Sequence, residues 1–141
     1  MSEYGLVYPM LAMVLMTFGV SVALFRARVR SVRQGQVPSS YFRLMQGAPE
    51  PESVAKPTRH LVNLFETPVL FYAGCLAAMV AGIADAVALG LAWTYVAIRV
   101  LHAWVHLGSN RLRMRIRAFA LSWLCLLVFW LYIGVAVAIR H

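Results

Sequence analysis

Residues 118–139 read AFALSWLCLLVFWLYIGVAVAI, an apolar run that contains no charged side chain. A helix of about 20 such residues crosses a lipid bilayer, so this run predicts a membrane-spanning helix. Three runs of similar length precede it, at about 4–25, 61–83 and 87–108. We therefore predict an all-α integral membrane protein, in which four helices form one bundle and residues 1–141 form a single domain.

The composition favours lipid as the surroundings of these helices. With 62% hydrophobic residues and a mean hydropathy of +0.73, the chain has more apolar surface than a soluble core of 141 residues can hide. The net charge of +8 does not indicate nucleic-acid binding, because the basic residues lie between apolar runs instead of forming a patch with exposed aromatic residues. We expect membrane lipids as partners and no nucleic acid.

The first apolar run is expected to remain in the protein as a helix. It begins with MSEYG, which carries an acid and no Lys or Arg, and no small-residue cleavage pattern follows the run. A secretory signal peptide would have a basic start and such a cleavage site. We therefore count this run as the first of the four membrane helices.

The distribution of basic residues predicts the orientation. Eleven of the thirteen Lys and Arg residues fall in the first and third connections between the apolar runs: Arg26, Arg28, Arg30, Arg33, Arg43, Lys56, Arg59, Arg111, Arg113, Arg115 and Arg117. Cytoplasmic loops carry an excess of Lys and Arg, so both connections should be cytoplasmic and both termini outside. We expect a bacterial inner membrane as the location. The second connection, 82–86, is short and implies a tight antiparallel hairpin.

The first connection, 26–60, is the only long polar stretch, and its glycines and prolines, including Pro57, argue against a continuous helix there. Within it, Ser39 or Ser40 is placed to cap a short helical turn that ends at Met45. We therefore expect a loop with one helical turn.

Polar side chains recur on one face of two of the predicted membrane helices. Asn63 and Glu66 are three residues apart in the second apolar run. The third run carries a stripe at spacings of four, three and four: Tyr95, Arg99, His102 and His106. Ionisable groups at this depth are costly against lipid, so both stripes should face the bundle interior or a hydrated cleft.

Two interpretations of these stripes remain open. Glu66 and Arg99 can form a buried ion pair that fixes helix packing, or the stripes can form an anion site. A metal site on His102 and His106 is a weaker hypothesis, because the pair lacks the glutamate of the HExxH pattern and no third ligand is fixed by spacing. We predict no metal.

The pattern Arg59-x-x-x-Asn63-x-x-Glu66 opens the second helix, and Arg99-x-x-His102 closes the third before an arginine-rich turn. Together they resemble the MAPEG family, the membrane-associated proteins in eicosanoid and glutathione metabolism. The order of four helices with a long first cytoplasmic connection is also similar to that family.

The resemblance covers about residues 55–135. It implies a homotrimer with glutathione as co-substrate, bound between neighbouring subunits near the cytoplasmic face. We accordingly expect a membrane-bound, glutathione-dependent transferase or peroxidase that acts on apolar or lipid-like electrophiles. Some members of the family bind lipids without catalysis, so the alternative is a non-catalytic lipid-binding or partner-binding membrane protein.

The resemblance also implies roles for individual residues. Four positions match residues that contact glutathione in enzymatic members: Arg59, Asn63, Glu66 and His102. Arg115 lies nearest the arginine associated with the thiol and is the expected catalytic residue, with Arg113 as the alternative. An arginine from the end of the first helix also contributes, and Arg28 or Arg30 is in place for this.

The chain departs from the family at two of these positions. The family often has an arginine where this chain has Val62, and a tyrosine where it has His106, which we keep among the expected glutathione contacts. One cation and one hydroxyl donor are therefore missing from the expected pocket. The remaining arginines still suit the two carboxylates of glutathione, and Glu66 suits its ammonium group.

Overall fold

The structure is a computed structural model that describes residues 4–47 and 49–140, which contain no strand. Its helices, in chain order, are α1 (Val7–Arg33), α2 (Tyr41–Leu44), α3 (Glu52–Leu64), α4 (Thr67–Val80), α5 (Ala86–Leu107) and α6 (Leu112–Arg140). Four spans are long and apolar enough to cross a membrane, with α3 and α4 together forming the second. The all-α prediction with four membrane helices is confirmed.

The outer surface of the bundle is apolar. Side chains such as Phe18, Trp104 and Leu131 are more than half exposed, and they lie on three different spans. A soluble protein rarely exposes apolar residues over such an extent. The chain is therefore an integral, multi-pass membrane protein.

The first connection is shorter than predicted. Helix α1 continues to Arg33 instead of ending at 25, and α3 already begins at Glu52, so only 34–51 lies between these two helices. Arginine is a good helix former, and its long side chain reaches water while its backbone stays helical. A helix can therefore extend beyond the apolar run.

Two details of that connection correct or refine the expectation. Pro57 lies inside α3, where it removes one backbone donor without ending the helix. The predicted short turn is present as α2, with Ser40 at its N-cap position, but the Ser40 side chain makes no capping hydrogen bond. Met45 ends α2 in the left-handed conformation, with φ 55°.

The second span is interrupted at Phe65 and Glu66. Helix α3 ends at Leu64, Glu66 has φ −93° and ψ −85°, and α4 begins at Thr67 with Pro68 in its first turn. Proline suits the first turn of a helix, where its missing N–H has no intrahelical acceptor. Glu66 therefore lies outside both helices, whereas Asn63 lies in the last turn of α3.

The core lies where α4, α5 and α6 meet. The Phe71 ring stacks on Tyr95 with centroids 4.6 Å apart, and Phe129 lies 6.2 Å from Phe71. Gly74 permits this approach, because a Cβ atom there would lie 3.0 Å from the Phe129 ring. This aromatic packing holds α4 and α6 against α5, the helix that carries the polar stripe.

The connection between α4 and α5 is tied to α6 through Asp85. One carboxylate oxygen of Asp85 accepts from the amides of Ala88 and Val87, at 3.0 and 3.1 Å, and the other accepts from the Tyr132 hydroxyl at 2.5 Å. The bond from the Ala88 amide, then that from Tyr132, holds the pKa of Asp85 below its usual value. A few residues away, Arg140 donates to the Gly82 carbonyl at 2.6 Å.

Replacing Asp85 should weaken this end of the bundle. Asp85→Ala removes the N-cap of α5 and the Tyr132 bond, and we expect a loss of about 0.5–2 kcal/mol in the free energy of unfolding in detergent micelles. Because the pKa is lowered, this contribution is present above the ordinary carboxyl pKa and is lost as pH falls through the lowered value. The difference in the free energy of unfolding between Asp85→Ala and the unmodified protein should therefore become smaller at acidic pH.

Asp85→Asn is the matched control, since asparagine also caps helices, while its amide nitrogen cannot accept the Tyr132 hydrogen bond. It should be less destabilising than Asp85→Ala at neutral pH. Equal stability of Asp85→Ala and the unmodified protein would contradict the proposed tie.

Candidate functional site

A cleft of about 440 Å³ lies where α3, α5 and the start of α6 meet. Its lining residues are Thr58, Arg59, Val62, Asn63, His102, His106, Arg115, Ile116 and Phe119. Each helix contributes residues four apart, such as Arg59 and Asn63 on α3, and residues at this spacing lie one above the other on a helix. Regular helices therefore bring together five residues predicted from the sequence: Arg59, Asn63, His102, His106 and Arg115.

Arg115 is held in the cleft by the turn between α5 and α6. Its Nη1 donates to Asn110 Oδ1 at 3.0 Å and lies 3.5 Å from His106 Nε2. Asn110 adopts the left-handed conformation, φ 49°, which asparagine tolerates better than most residues. Its backbone N–H donates to the Val105 carbonyl at 2.8 Å. The backbone of the turn thus positions the side chain that orients Arg115.

The contact with Arg115 also indicates the form of His106. An arginine side chain has only donors, so His106 Nε2 must act as the acceptor in this contact. That requires a neutral imidazole with its proton on Nδ1.

Sequence analysis did not identify Asn110 as part of the site. The available signal was its position just after Gly108, the C-cap residue of α5.

His60 is a second residue that the sequence analysis missed. It is fully buried on α3, and its ring lies 5.4 Å from His102 and 5.2 Å from His106, centroid to centroid. Its position three residues before Asn63 places it near the same helical face. Within residues 4–47 and 49–140, no group of three or more His, Cys, Asp or Glu side chains is arranged to hold a metal ion.

The structure lacks the Glu66–Arg99 ion pair of the first interpretation, although the Glu66 charge still favours the Arg99 cation. Across the part of the chain that the structure describes, the one salt bridge joins Lys56 to Glu52 at 2.8 Å. Arg99 is fully buried, and its Nη2 donates to the Asn63 carbonyl at 3.2 Å. Glu66 is exposed and lies in the interruption between α3 and α4.

The Asn63 carbonyl is available to Arg99 because α3 ends one residue later. The last carbonyls of a helix have no intrahelical partner, and a guanidinium group supplies one. Arg99 Nε and Nη1 have no hydrogen-bond partner among the described residues. Arg99, in the polar stripe of α5, thus donates a hydrogen bond to the end of α3 and not to the Glu66 carboxylate.

Three of the predicted site residues do not line the cleft within one chain. The Arg28 guanidinium lies over the Phe42 ring, 5.5 Å from its centroid. Glu66 and Arg113 are exposed. Arg113 is two residues from Arg115, so the two point about 200° apart around α6.

The charge and shape of the cleft suit an anion with an apolar neighbour. Arg59 and Arg115 carry full positive charges, and no acidic side chain is among the lining residues. Val62, Ile116 and Phe119 give the same cleft an apolar side. Arginines bind carboxylates through paired hydrogen bonds, so peptide-like carboxylates are suitable ligands.

The sequence model of the MAPEG family matches residues 6–135. The match extends over all four membrane spans and includes every residue of the cleft. No curated protein and no solved structure matches the chain.

The absence of a direct ion pair predicts that the two charges have only weakly coupled effects on folding. Glu66→Gln should be nearly neutral because the side chain is exposed, and Arg99→Met should cost about 1–3 kcal/mol because it leaves the Asn63 carbonyl without its donor. In a double-mutant cycle of unfolding in micelles, the two effects should add within about 0.5 kcal/mol. A coupling of several kcal/mol would show that the two charges interact.

Proposed function

Because this chain belongs to the MAPEG family, we propose that it is a membrane-bound, glutathione-dependent transferase or peroxidase that acts on apolar electrophiles. Membership places it among the membrane proteins of glutathione and eicosanoid metabolism. The observation that carries the more specific proposal is the cleft, which combines two arginines, an asparagine and two histidines with an apolar side.

Glutathione matches the polar side of the cleft. It is a peptide-like anion with two carboxylates, and Arg59 can hold one of them through two hydrogen bonds, while the Asn63 amide offers both a donor and an acceptor. The cleft volume of about 440 Å³ falls within the usual range of about 300–1,000 Å³ for small-molecule sites. His102 lies on the opposite wall and supplies a further polar contact.

Arg115 is proposed to stabilise the glutathione thiolate. A cation beside a thiol favours its ionised form, and each unit by which the thiol pKa falls corresponds to about 1.4 kcal/mol. Asn110 and His106 already orient the Arg115 guanidinium, so the donor does not have to be arranged during the reaction. The thiol proton passes to solvent.

The thiolate then attacks the electrophile on the apolar side of the cleft. In a transferase reaction a new C–S bond forms, and the leaving group departs with the electron pair of the bond that breaks. With an organic peroxide, the thiolate attacks oxygen, the O–O bond breaks, and a second glutathione completes the reduction by forming the disulfide. Phe119, Ile116 and Val62 supply apolar contacts for a substrate that arrives from the bilayer.

The two departures from the family pattern change how the cleft works. Val62 contributes apolar surface where the family often has an arginine, which leaves Arg59 as the arginine of α3 in the cleft. His106 contributes an acceptor for Arg115 where the family has a hydroxyl. Protonation of His106 would remove that acceptor, so Arg115 would lose an orienting contact as pH falls.

The proposal includes a homotrimer whose sites lie between subunits, with the arginine-rich end in the cytoplasm and both termini outside. Arg28, Glu66 and Arg113 lie outside the cleft of their own chain, which supports a role across a subunit boundary. The exposed Glu66 carboxylate suits the ammonium group of glutathione bound to a neighbour. Cytoplasmic glutathione would reach the cleft from its basic end, in what we propose is a bacterial inner membrane.

The first test of this function compares variants of the two cleft arginines. Arg115→Ala should lower kcat about 10- to 1,000-fold with a smaller effect on glutathione affinity, because a thiolate-stabilising donor acts mainly in the reaction step. Arg59→Ala and Asn63→Ala should mainly weaken glutathione binding. The measurements are calorimetric titration of glutathione and turnover with apolar electrophiles and organic peroxides, using purified protein in lipid.

Arg111→Ala is the matched control, since Arg111 lies in the same turn, is exposed and does not line the cleft. It should leave binding and turnover unchanged. No binding at millimolar glutathione would contradict the proposed function, and binding without turnover would reject its catalytic part in favour of a binding protein.

The second test concerns sites shared between subunits. Native mass spectrometry should show a trimer, and mixed oligomers of Glu66→Gln and Arg115→Ala subunits should recover activity that neither variant has alone. Recovery is expected because some sites in a mixed trimer would receive both native residues from different chains. A monomer, or mixed oligomers as inactive as the variants, would refute the shared site.

A further inference from the structure

Three arginines at the end of α1 lie on one side of that helix. Arg26, Arg30 and Arg33 are all exposed. At about 100° per residue, they fall within an arc of about 60°. We call these three residues the α1 arginine stripe.

The stripe continues the exposed apolar side of the same helix. Four large apolar residues precede it and are about half to two-thirds exposed: Leu15, Phe18, Val22 and Phe25. Together with the stripe they occupy about 140° of the helix circumference. The buried residues Met13, Val20 and Leu24 lie on the opposite side, so the stripe and the apolar residues above it face away from the core.

Arg28 shows that position around the helix determines what each arginine contacts. It lies about 200° from Arg26, and its guanidinium is placed over the Phe42 ring. The stripe residues have no such partner in the bundle: α1 contains no Asp or Glu, and within the described chain the one salt bridge is that of Lys56 and Glu52. Three positive charges are therefore left for an external anion.

The stripe also borders a recess. A depression of about 410 Å³ is lined by Phe25, Arg26, Val29, Arg30, Arg33 and Gln34. It combines three guanidinium groups with two apolar side chains at the boundary between the apolar span and its polar end. It is separate from the glutathione cleft, to which α1 contributes no lining residue.

General causes explain the number of arginines but not their arrangement. Cytoplasmic loops are rich in Lys and Arg, and cations are favourable at a helix C-terminus. Arginines on any face of α1 would satisfy both of these causes. Neither cause requires that the charges align with the exposed apolar residues. An amphiphile with an anionic head and an acyl tail does require that alignment.

We propose that the α1 arginine stripe binds the phosphate headgroup of an anionic phospholipid, with an acyl chain lying along Phe25, Val22 and Phe18. Guanidinium groups hold phosphate oxygens through paired hydrogen bonds, and basic clusters beside a membrane helix attract anionic lipid. This site does not depend on the proposed function, because it uses a different helix face.

Native mass spectrometry of the full chain tests the proposal, with phosphatidylglycerol and phosphatidylcholine of identical acyl chains as probes. The unmodified protein should retain phosphatidylglycerol in preference to phosphatidylcholine. The triple change Arg26→Gln, Arg30→Gln and Arg33→Gln should weaken phosphatidylglycerol binding about 10- to 100-fold, since each basic residue near the surface contributes to anionic lipid binding.

The matched control removes the same charge elsewhere, through Arg43→Gln, Arg111→Gln and Arg117→Gln, and should leave the preference intact. These three residues are exposed, and none of them lies on α1. Changing the stripe to three lysines should retain most of the preference, which separates loss of charge from misfolding. Glycerol phosphate at millimolar concentration should not displace the lipid, because the acyl contacts are part of the site.

Several results would overturn the proposal. Equal losses of phosphatidylglycerol binding in the stripe variant and in the control would show that net charge alone causes the effect. Displacement by glycerol phosphate would assign the stripe to a soluble anion. A change of oligomeric state in the stripe variant, with lipid still bound, would assign this face to contact between copies of the chain.

Discussion

Backbone polar groups inside a bilayer have no water to bond with, and this constraint shapes the whole molecule. Four long helices satisfy almost all of them internally. The interruption at Phe65 and Glu66 is the exception within a span, and there Arg99 donates to the Asn63 carbonyl at the end of α3. The irregular backbone is tolerated because a buried side chain from α5 covers it.

The same constraint explains what could be predicted from the sequence. Apolar runs of membrane length identified the four spans, the polar stripes identified Asn63, His102 and His106, and the family resemblance added Arg59. Helix ends were less predictable. Residues 26–33 were predicted to be loop because four of them are arginines. The arginine side chains can reach water while the backbone of α1 remains helical.

Features that depend on local backbone geometry were not predictable from spacing. Glu66 was expected beside Arg99 on the assumption of an unbroken helix, and the interruption at Phe65 removed that pairing. Asn110 orients Arg115 only because its own backbone is left-handed in a short turn. A pattern of residue types gives the faces of helices, whereas such turns and interruptions depend on dihedral angles that the pattern does not encode.

The two ends of the bundle are held together unequally. Asp85, Tyr132, Gly82 and Arg140 tie the end opposite the cleft by side-chain bonds that reach α6 from the α4–α5 connection. At the cleft, α3 is joined to α5 by the Arg99 bond, while the Arg115 bonds stay within the α5–α6 hairpin. The boundary between α3 and the α5–α6 hairpin, along which the cleft lies, is therefore crossed by fewer side-chain bonds than the opposite end of the bundle.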